Sequence, residues 1–249
     1  MRKKQQFGFL LAGVEFISTE LLKDIEKRKK TCLNFGLGVF SDELFESIYN
    51  RKPLKSYEER AHLANSLKGV DSVWEVKSLS DNIDKKIYVE PAIYVSNTVQ
   101  KKYHVVYAPG TYDLLHEGHL DHLRQCREMG DVLIVGVKSD ENVWETKHKK
   151  THQSEQERLQ IVRSLDFVDN AILVVTHDKH WANEHIKKLI GHSIDVVVLG
   201  SDCEGQEKYD NPDGLPFVFT HRDPQVALKR SSSYYRAELD KQQNSNKEG

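Results

Sequence analysis

The sequence predicts an α/β protein built on parallel sheets, and three observations carry that prediction. Short runs such as "HVVYA", "DVLIVGV" and "DVVVLG" are apolar almost throughout and rich in β-branched residues, the mark of strands buried on both faces. Longer stretches of helical period separate them. A segment from Gly38 to Val76 matches Gly136 to Val174 at 14 of 39 positions without a gap. These features describe a Rossmann-like parallel sheet, whose ligands sit at the carboxyl ends of the strands, preceded by a truncated, degenerate repeat of the same fold.

The elements follow in chain order. The apolar run Phe7 to Val14 reads as a buried strand, because Glu15 closes it without the small-residue cleavage pattern of a secretory leader. In the first copy, residues 1–101, Gly38, Val39, Ser41, Asp42 and Glu43 anticipate Gly136, Val137, Ser139, Asp140 and Glu141, and Glu59-Arg60 anticipates Glu157-Arg158. Only residues 77 to 101 then remain before the second copy, too few for the missing strand and helix units. The second copy, residues 102–240, runs through strand "HVVYA", helix "HLDHLRQCREMG" closed by Gly130, and strand "DVLIVGV". Helix "SEQERLQIVRSL", strand "NAILVV", helix "WANEHIKKLIG", strand "DVVVLG" and a last strand "PFVFT" complete it. Residues 241–249 are polar and predict a disordered tail.

Composition excludes several classes. With 36 Lys and Arg against 38 Asp and Glu in 249 residues, the net charge is -2. No overall field attracts nucleic acid or anionic lipid. No segment approaches the ~20 apolar residues of a membrane span. Cys32, Cys126 and Cys203 are odd in number and far apart, as reduced thiols in a cytoplasmic protein would be. His177, His180 and His185 flank a helix start without further ligands at a matching spacing, so no metal site is expected there. No Gly-x-x-x-x-Gly-Lys-Ser/Thr loop occurs.

The chemistry concentrates in "YAPGTYDLLHEGHLDHL", Tyr107 to Leu123. His116 and His119 stand at i and i+3 on the first turn of a helix and project to one side. That side faces the helix N-terminus, where unpaired N–H groups and the helix dipole favour an anion. Gly118 removes a side chain where a ligand approaches the backbone, and Gly110 suits a tight strand-to-helix turn. The pattern is a phosphate site with two movable donors, suited to charge building on a phosphoryl group in transfer.

"GTYDLLHEGH", then "GDVLIVGVKSDE", a lysine cluster and "ER", together resemble the HxGH nucleotidyltransferase superfamily, and within it the cytidylyltransferases that make CDP-glycerol, CDP-choline and CDP-ethanolamine. The resemblance covers residues 104 to about 240, and weakly 7 to 76. It implies that His116 and His119 contact the nucleotide phosphates and stabilise the transition state, with Lys147 and Arg158 as further catalytic groups. By the same resemblance Lys149 meets the phosphate of the second substrate. Gly110, Thr111, Tyr112, Asp113, Gly118, Asp202, Arg230, Ser231, Ser232 and Ser233 then bind nucleotide, and Mg2+ screens the triphosphate. "GSDCEG" resembles the Gly-Asp-Asp-Trp-Glu-Gly loop of glycerol-3-phosphate cytidylyltransferases, with Cys203 in place of the tryptophan.

The implied reaction transfers CMP from CTP to a small phosphorylated alcohol of the glycerol 3-phosphate, phosphoethanolamine or phosphocholine type, releasing pyrophosphate. "KRSSSYYRAEL" departs from the Arg-Thr-x-Gly-Ile-Ser-Thr motif of cytidylyltransferases, and its "SSSYYR" also resembles the Ser-Ser-Thr-x-x-Arg motif of the superfamily's adenylyltransferases. ATP is therefore the alternative donor, and a regulatory nucleotide-binding pseudoenzyme is the non-catalytic alternative. Members of the resembled family commonly pair two domains through surfaces that include a Val-Asp segment, so the resemblance, with Val70-Asp71 equivalent to Val168-Asp169, implies an intramolecular pseudo-dimer or a homodimer.

Overall fold

A computed structural model of the chain describes residues 5–79, 101–175, 179–203, 213–221 and 231–245. The chain divides into two compact units, one of residues 1–97 with 164–166 and one of residues 98–163 with 167–249.

The first unit contains β1 (Gln5–Ala12), α1 (Thr19–Lys29), β2 (Cys32–Phe40), α2 (Asp42–Tyr49), α3 (Tyr57–Asn65) and β3 (Ser72–Val76). Its strands form a parallel sheet in the order β1-β2-β3. Phe35, Leu37, Val39, Leu63 and Ala64 are wholly buried in it. The helices start where serines permit. Ser18, Ser41 and Ser56 each accept a backbone N–H of the first turn, and Ser56 shares a capping box with Glu59.

The second unit contains β4 (Tyr103–Gly110), α4 (Glu117–Met129), β5 (Gly130–Lys138), α5 (Asp140–Lys147), α6 (Glu155–Arg163), β6 (Asn170–Val174), α7 (Lys179–Ile190) and β7 (Val196–Gly200). A 3-10 turn (Ser201–Cys203), β8 (Phe217–Thr220) and α8 (Ser232–Ser245) complete it. All pairings are parallel, in the order β6-β5-β4-β7-β8. The chain moves from β4 to one side through β5 and β6, then returns to β4's other edge with β7. Such a reversal opens a crevice at the carboxyl ends of the two strands beside it, where α/β proteins bind ligands. The protein is thus α/β with Rossmann-like parallel sheets, as the apolar runs imply.

The strands, α2, α3 and their counterparts recur 98 residues later with identical bounds. β1, β2 and β3 correspond to β4, β5 and β6, α2 to α5, and α3 to α6. The register recurs too, since Gly36 faces Ser72 and Ile134 faces Asn170. Left-handed backbone appears at Val14 and Asn50, and again at Tyr112 and His148.

Gly130 closes α4 as expected, and with extended backbone it opens β5 at once. A side chain there would strike Val106, so the glycine serves the close approach of β4 and β5. Gly110 likewise ends β4, while the left-handed turn falls on Tyr112 and Leu114. A Cβ on Gly110 would lie 2.6 Å from the Tyr112 ring. The polar end is no tail from residue 241, because α8 continues to Ser245. It holds neither Gly nor Pro, and Lys241 pairs with Glu238 at 2.6 Å.

Gly136 in β5 lies under the fully buried Tyr107, whose ring atoms would be 2.8 Å from an added Cβ. Gly136→Ala is expected to destabilise the protein by about 1–3 kcal/mol through overpacking. An unchanged urea midpoint would show that Tyr107 has room to retreat.

Candidate active site

Two helix N-termini, two loops and the end of β4 meet at the crevice. His116 occupies the N-cap position of α4 with extended backbone, yet its side chain makes no capping bond. This differs from α1, α2, α3 and α5, where a serine satisfies an N–H. The N-terminus of α4 thus carries no side-chain cap from His116, the arrangement that suits an anion at a helix start. His119 follows one turn on, and the two imidazoles stack with centroids 3.8 Å apart. His116 is buried and His119 half-buried. Tyr112 packs edge-on to His119 at 5.4 Å, and Tyr235 tilts against His116 at 5.8 Å.

Helix α8 brings its own N-terminus to the same place. Ser231 Oγ accepts the Tyr234 N–H and caps the helix. Ser232 Oγ donates to the Asp113 carbonyl at 2.8 Å and stands 3.3 Å from His116 Nε2. Ser233 is exposed on the first turn. The three serines therefore divide into a cap, a bolt and one exposed hydroxyl, rather than three equal phosphate donors. Arg230 lies outside the described residues.

The loop after β4 is held from beneath. The Asp113 carboxylate is buried and accepts the backbone N–H groups of His152 and Gln153 at 2.9–3.1 Å. Gln153 Oε1 returns a bond from the Leu114 N–H. Tyr112 is buried and donates its hydroxyl to the Ala108 carbonyl. Asp113 and Tyr112 thus shape the turn, with their polar atoms directed into the protein. Thr111 faces the crevice, and its Oγ1 accepts from Lys147 Nζ at 3.1 Å. Gly118 is the second residue of α4, next to the stacked rings.

Arg158 requires a correction. It is 0% exposed, and its guanidinium donates to the carbonyls of Gln153, Thr111 and Lys138 and to Asp140 Oδ1, at 2.6–3.1 Å. It positions the turn and does not face the crevice. Arg60, in the unit that lacks the histidine pair, makes the corresponding bonds to Lys55, Gly13 and Asp42. A bond set that persists without the histidines belongs to the scaffold. Arg158 holds Asp140 as an ion pair, and that contact with those from Thr151 and Glu155 keeps the Asp140 carboxyl below its usual range despite partial burial.

Among the described residues, Lys147, Lys138 and Arg236 bring positive charge to the crevice. Lys147 is exposed along its stem, but its ammonium end rests on Thr111, and partial desolvation pulls its pKa below the lysine value of 10.5. Lys149 is exposed close by, and Asp202, on the turn after β7, supplies an opposing negative charge. Arg236 was not singled out from the sequence. Its Nε stands 3.4 Å from Asp113 and its charge is felt at Lys147. The third position after "SSS" in "SSSYYR" was the signal that could have found it. Among the described residues no three His, Cys, Asp or Glu side chains are placed to hold a metal ion.

Cys203 is half-exposed beside this group, whereas Cys32 and Cys126 are buried. A thiol reagent applied to the folded chain is expected to modify Cys203 first, and pyrophosphate is expected to slow it. Equal rates at Cys32 or Cys126, read by peptide mapping, would contradict the packing.

Residues 107–237, just over half of the chain, match the family described as cytidylyltransferase-like. A glycerol-3-phosphate cytidylyltransferase from Staphylococcus aureus is 40% identical over 39% of this chain and 69% of its own length. An FAD synthase from Methanosarcina barkeri is 40% identical over 45% of this chain and 77% of its own. An ethanolamine-phosphate cytidylyltransferase from Dictyostelium discoideum is 44% identical over 30% of this chain and 21% of its own.

Proposed function

This chain belongs to the cytidylyltransferase-like family and is a nucleotidyltransferase, and from that premise we propose that it transfers CMP from CTP to a small phosphorylated alcohol. The observation that carries the proposal is the uncapped N-terminus of α4, with His116 and His119 stacked over it beside the α8 N-terminus. An oxygen of the acceptor phosphate attacks the α-phosphorus in line, the bond from that phosphorus to the bridging oxygen breaks, and pyrophosphate leaves. The nucleophile is already an anion, so no covalent intermediate with the protein is needed. The protein positions the partners and neutralises charge. His116 and His119 hydrogen-bond the α-phosphoryl oxygens as charge grows there, while Lys147 and the two helix N-termini meet the other oxygens. Mg2+ belongs to the proposal as an ion carried in on the triphosphate, which would suit its preference for phosphate and water ligands.

ATP is the second reading for the donor. "SSSYYR" opens α8 with Arg236 turned to Asp113, and the similar FAD synthase is named for a product containing adenine. A cytoplasmic location is proposed as well, supported by three free thiols. Among the described residues no helix is long and apolar enough to cross a membrane. We further propose that the first unit is a degenerate copy of the second, supported by the recurrence of bounds and register at 98 residues. Pairing of two such units, within one chain or between two, is read from the molecular mass in solution.

Pyrophosphate release is the test, with CTP and ATP each offered glycerol 3-phosphate, phosphocholine and phosphoethanolamine. His119→Ala is expected to lower kcat/KM on the order of 10²-fold or more, as the loss of one transition-state donor does. Turnover that survives this change would remove the histidines from the mechanism. Lys147 loses its charge as pH rises through its lowered pKa, so activity is expected to fall on the alkaline side below the ordinary lysine range. Lys147→Arg, which stays charged, should move that limb to higher pH; an unmoved limb would assign it to another group.

A further inference from the structure

We propose that Lys138 and Asn142, beside Lys147, form the acceptor subsite of this transferase and that it takes a phosphorylated polyhydroxy compound in preference to a phosphorylated amino alcohol. The proposal rests on the nucleotidyl-transfer reading and narrows its second substrate.

The position of Lys138 follows from the sheet. Val137 faces Gly110 across the β4–β5 ladder, so Lys138 is the next residue at the mouth, beside Thr111. Its carbonyl is held by the same Arg158 Nη1 that holds the Thr111 carbonyl. Alternation along β5 places its side chain on the face of Gly136, over which Tyr107 packs. Cys203, at the end of β7, packs against that same core face. The ends of β5 and β7 flank β4, so Lys138, Lys147 and Cys203 surround the Thr111 turn. Lys138 is half-buried, and its charge is disfavoured by desolvation and by Lys147 opposite. Two ammonium groups brought together at a ligand crevice call for an anion between them.

Asn142 supplies the second, independent observation. It is 2% exposed, and neither its amide nitrogen nor its amide oxygen has a hydrogen-bond partner. A buried amide with a donor and an acceptor both unused is costly to keep unless a ligand completes it. A ligand hydroxyl, which both donates and accepts, fits that need.

The first unit shows what these positions hold when no ligand is served. Counting back 98 residues, Lys138, Asn142 and Lys147 become Phe40, Leu44 and Tyr49. Phe40 and Leu44 lie in one apolar cluster with Phe45, Val76, Leu11 and Trp74. The fold therefore packs well with apolar residues there, and the polar trio in the second unit is not demanded by the scaffold. In-line transfer also separates the entering from the leaving oxygen. The paired N-termini of α4 and α8 serve the triphosphate, and the β5 side is left for the acceptor. Lys138 and Lys147 attract its phosphate and repel a choline or ethanolamine nitrogen, while Asn142 reads a hydroxyl.

The test uses the full chain and its Lys138→Met and Asn142→Leu variants, whose new side chains resemble those the first unit accommodates. Pyrophosphate release is measured with glycerol 3-phosphate and ribitol 5-phosphate against phosphoethanolamine and phosphocholine. The expected result is turnover with a polyhydroxy phosphate. Each variant should raise the acceptor KM on the order of 10-fold, leave the nucleotide KM within about twofold, and melt at or above the wild-type temperature. Preference for an amino-alcohol phosphate, or a rise in nucleotide KM instead, overturns the subsite while the transferase reading stands. No pyrophosphate from any pair, with either nucleotide, overturns both.

Discussion

The geometry of the crevice depends on one buried guanidinium. Arg158 draws together carbonyls from the end of β4, the end of β5 and the loop before α6, and anchors Asp140 at the start of α5. An arginine can be buried in this way because its donors are planar, fixed in direction and charged at any working pH. Removing it would leave carbonyls unsatisfied in a dry interior and release the loop that carries Thr111 and Asp113. The Asp113 carboxylate works beside it, spanning the same turn to His152 and Gln153.

The first unit separates scaffold from chemistry. Arg60 repeats the clamp, and Glu15 stands where Asp113 does, meeting Arg51 and the Leu54 N–H. At the positions of His116, His119 and Lys147, however, stand Ser18, Leu21 and Tyr49. Ser18 caps α1 with its own side chain, whereas the His116 side chain makes no capping bond to α4. The clamp is thus a property of the fold, and the uncapped end with its imidazoles is a property of the site.

Much of both was legible in the sequence. Apolar runs placed the strands of the second unit within a few residues, because a strand buried on two faces has no other composition open to it. The repeat was visible because serine caps, the Glu-Arg pair and the Val-Asp step recur at one spacing. The histidine pair was legible because residues three apart on a first helical turn must share a side. Gly110 and Gly130 were placed rightly at element ends, but the structure gives both a reason the sequence did not. Close approach between a glycine and a distant ring or methyl leaves no mark on local sequence.

What the sequence determined alone was therefore the local order: which runs become strands, where helices start, and that an anion site opens at His116. Tertiary structure decided the direction of each polar side chain. Arg158 and Asp113 look like ligand-binding residues in a motif, yet folding turns them inward, where unsatisfied carbonyls and N–H groups compete for their charge. Lys138 and Asn142 carry no motif of their own, and they meet Arg236, the last residue of "SSSYYR", only because the ends of β4, β5 and β7 and the start of α8 converge. Sequence spacing records neighbours along the chain, whereas burial and hydrogen-bond saturation are settled between segments far apart in it.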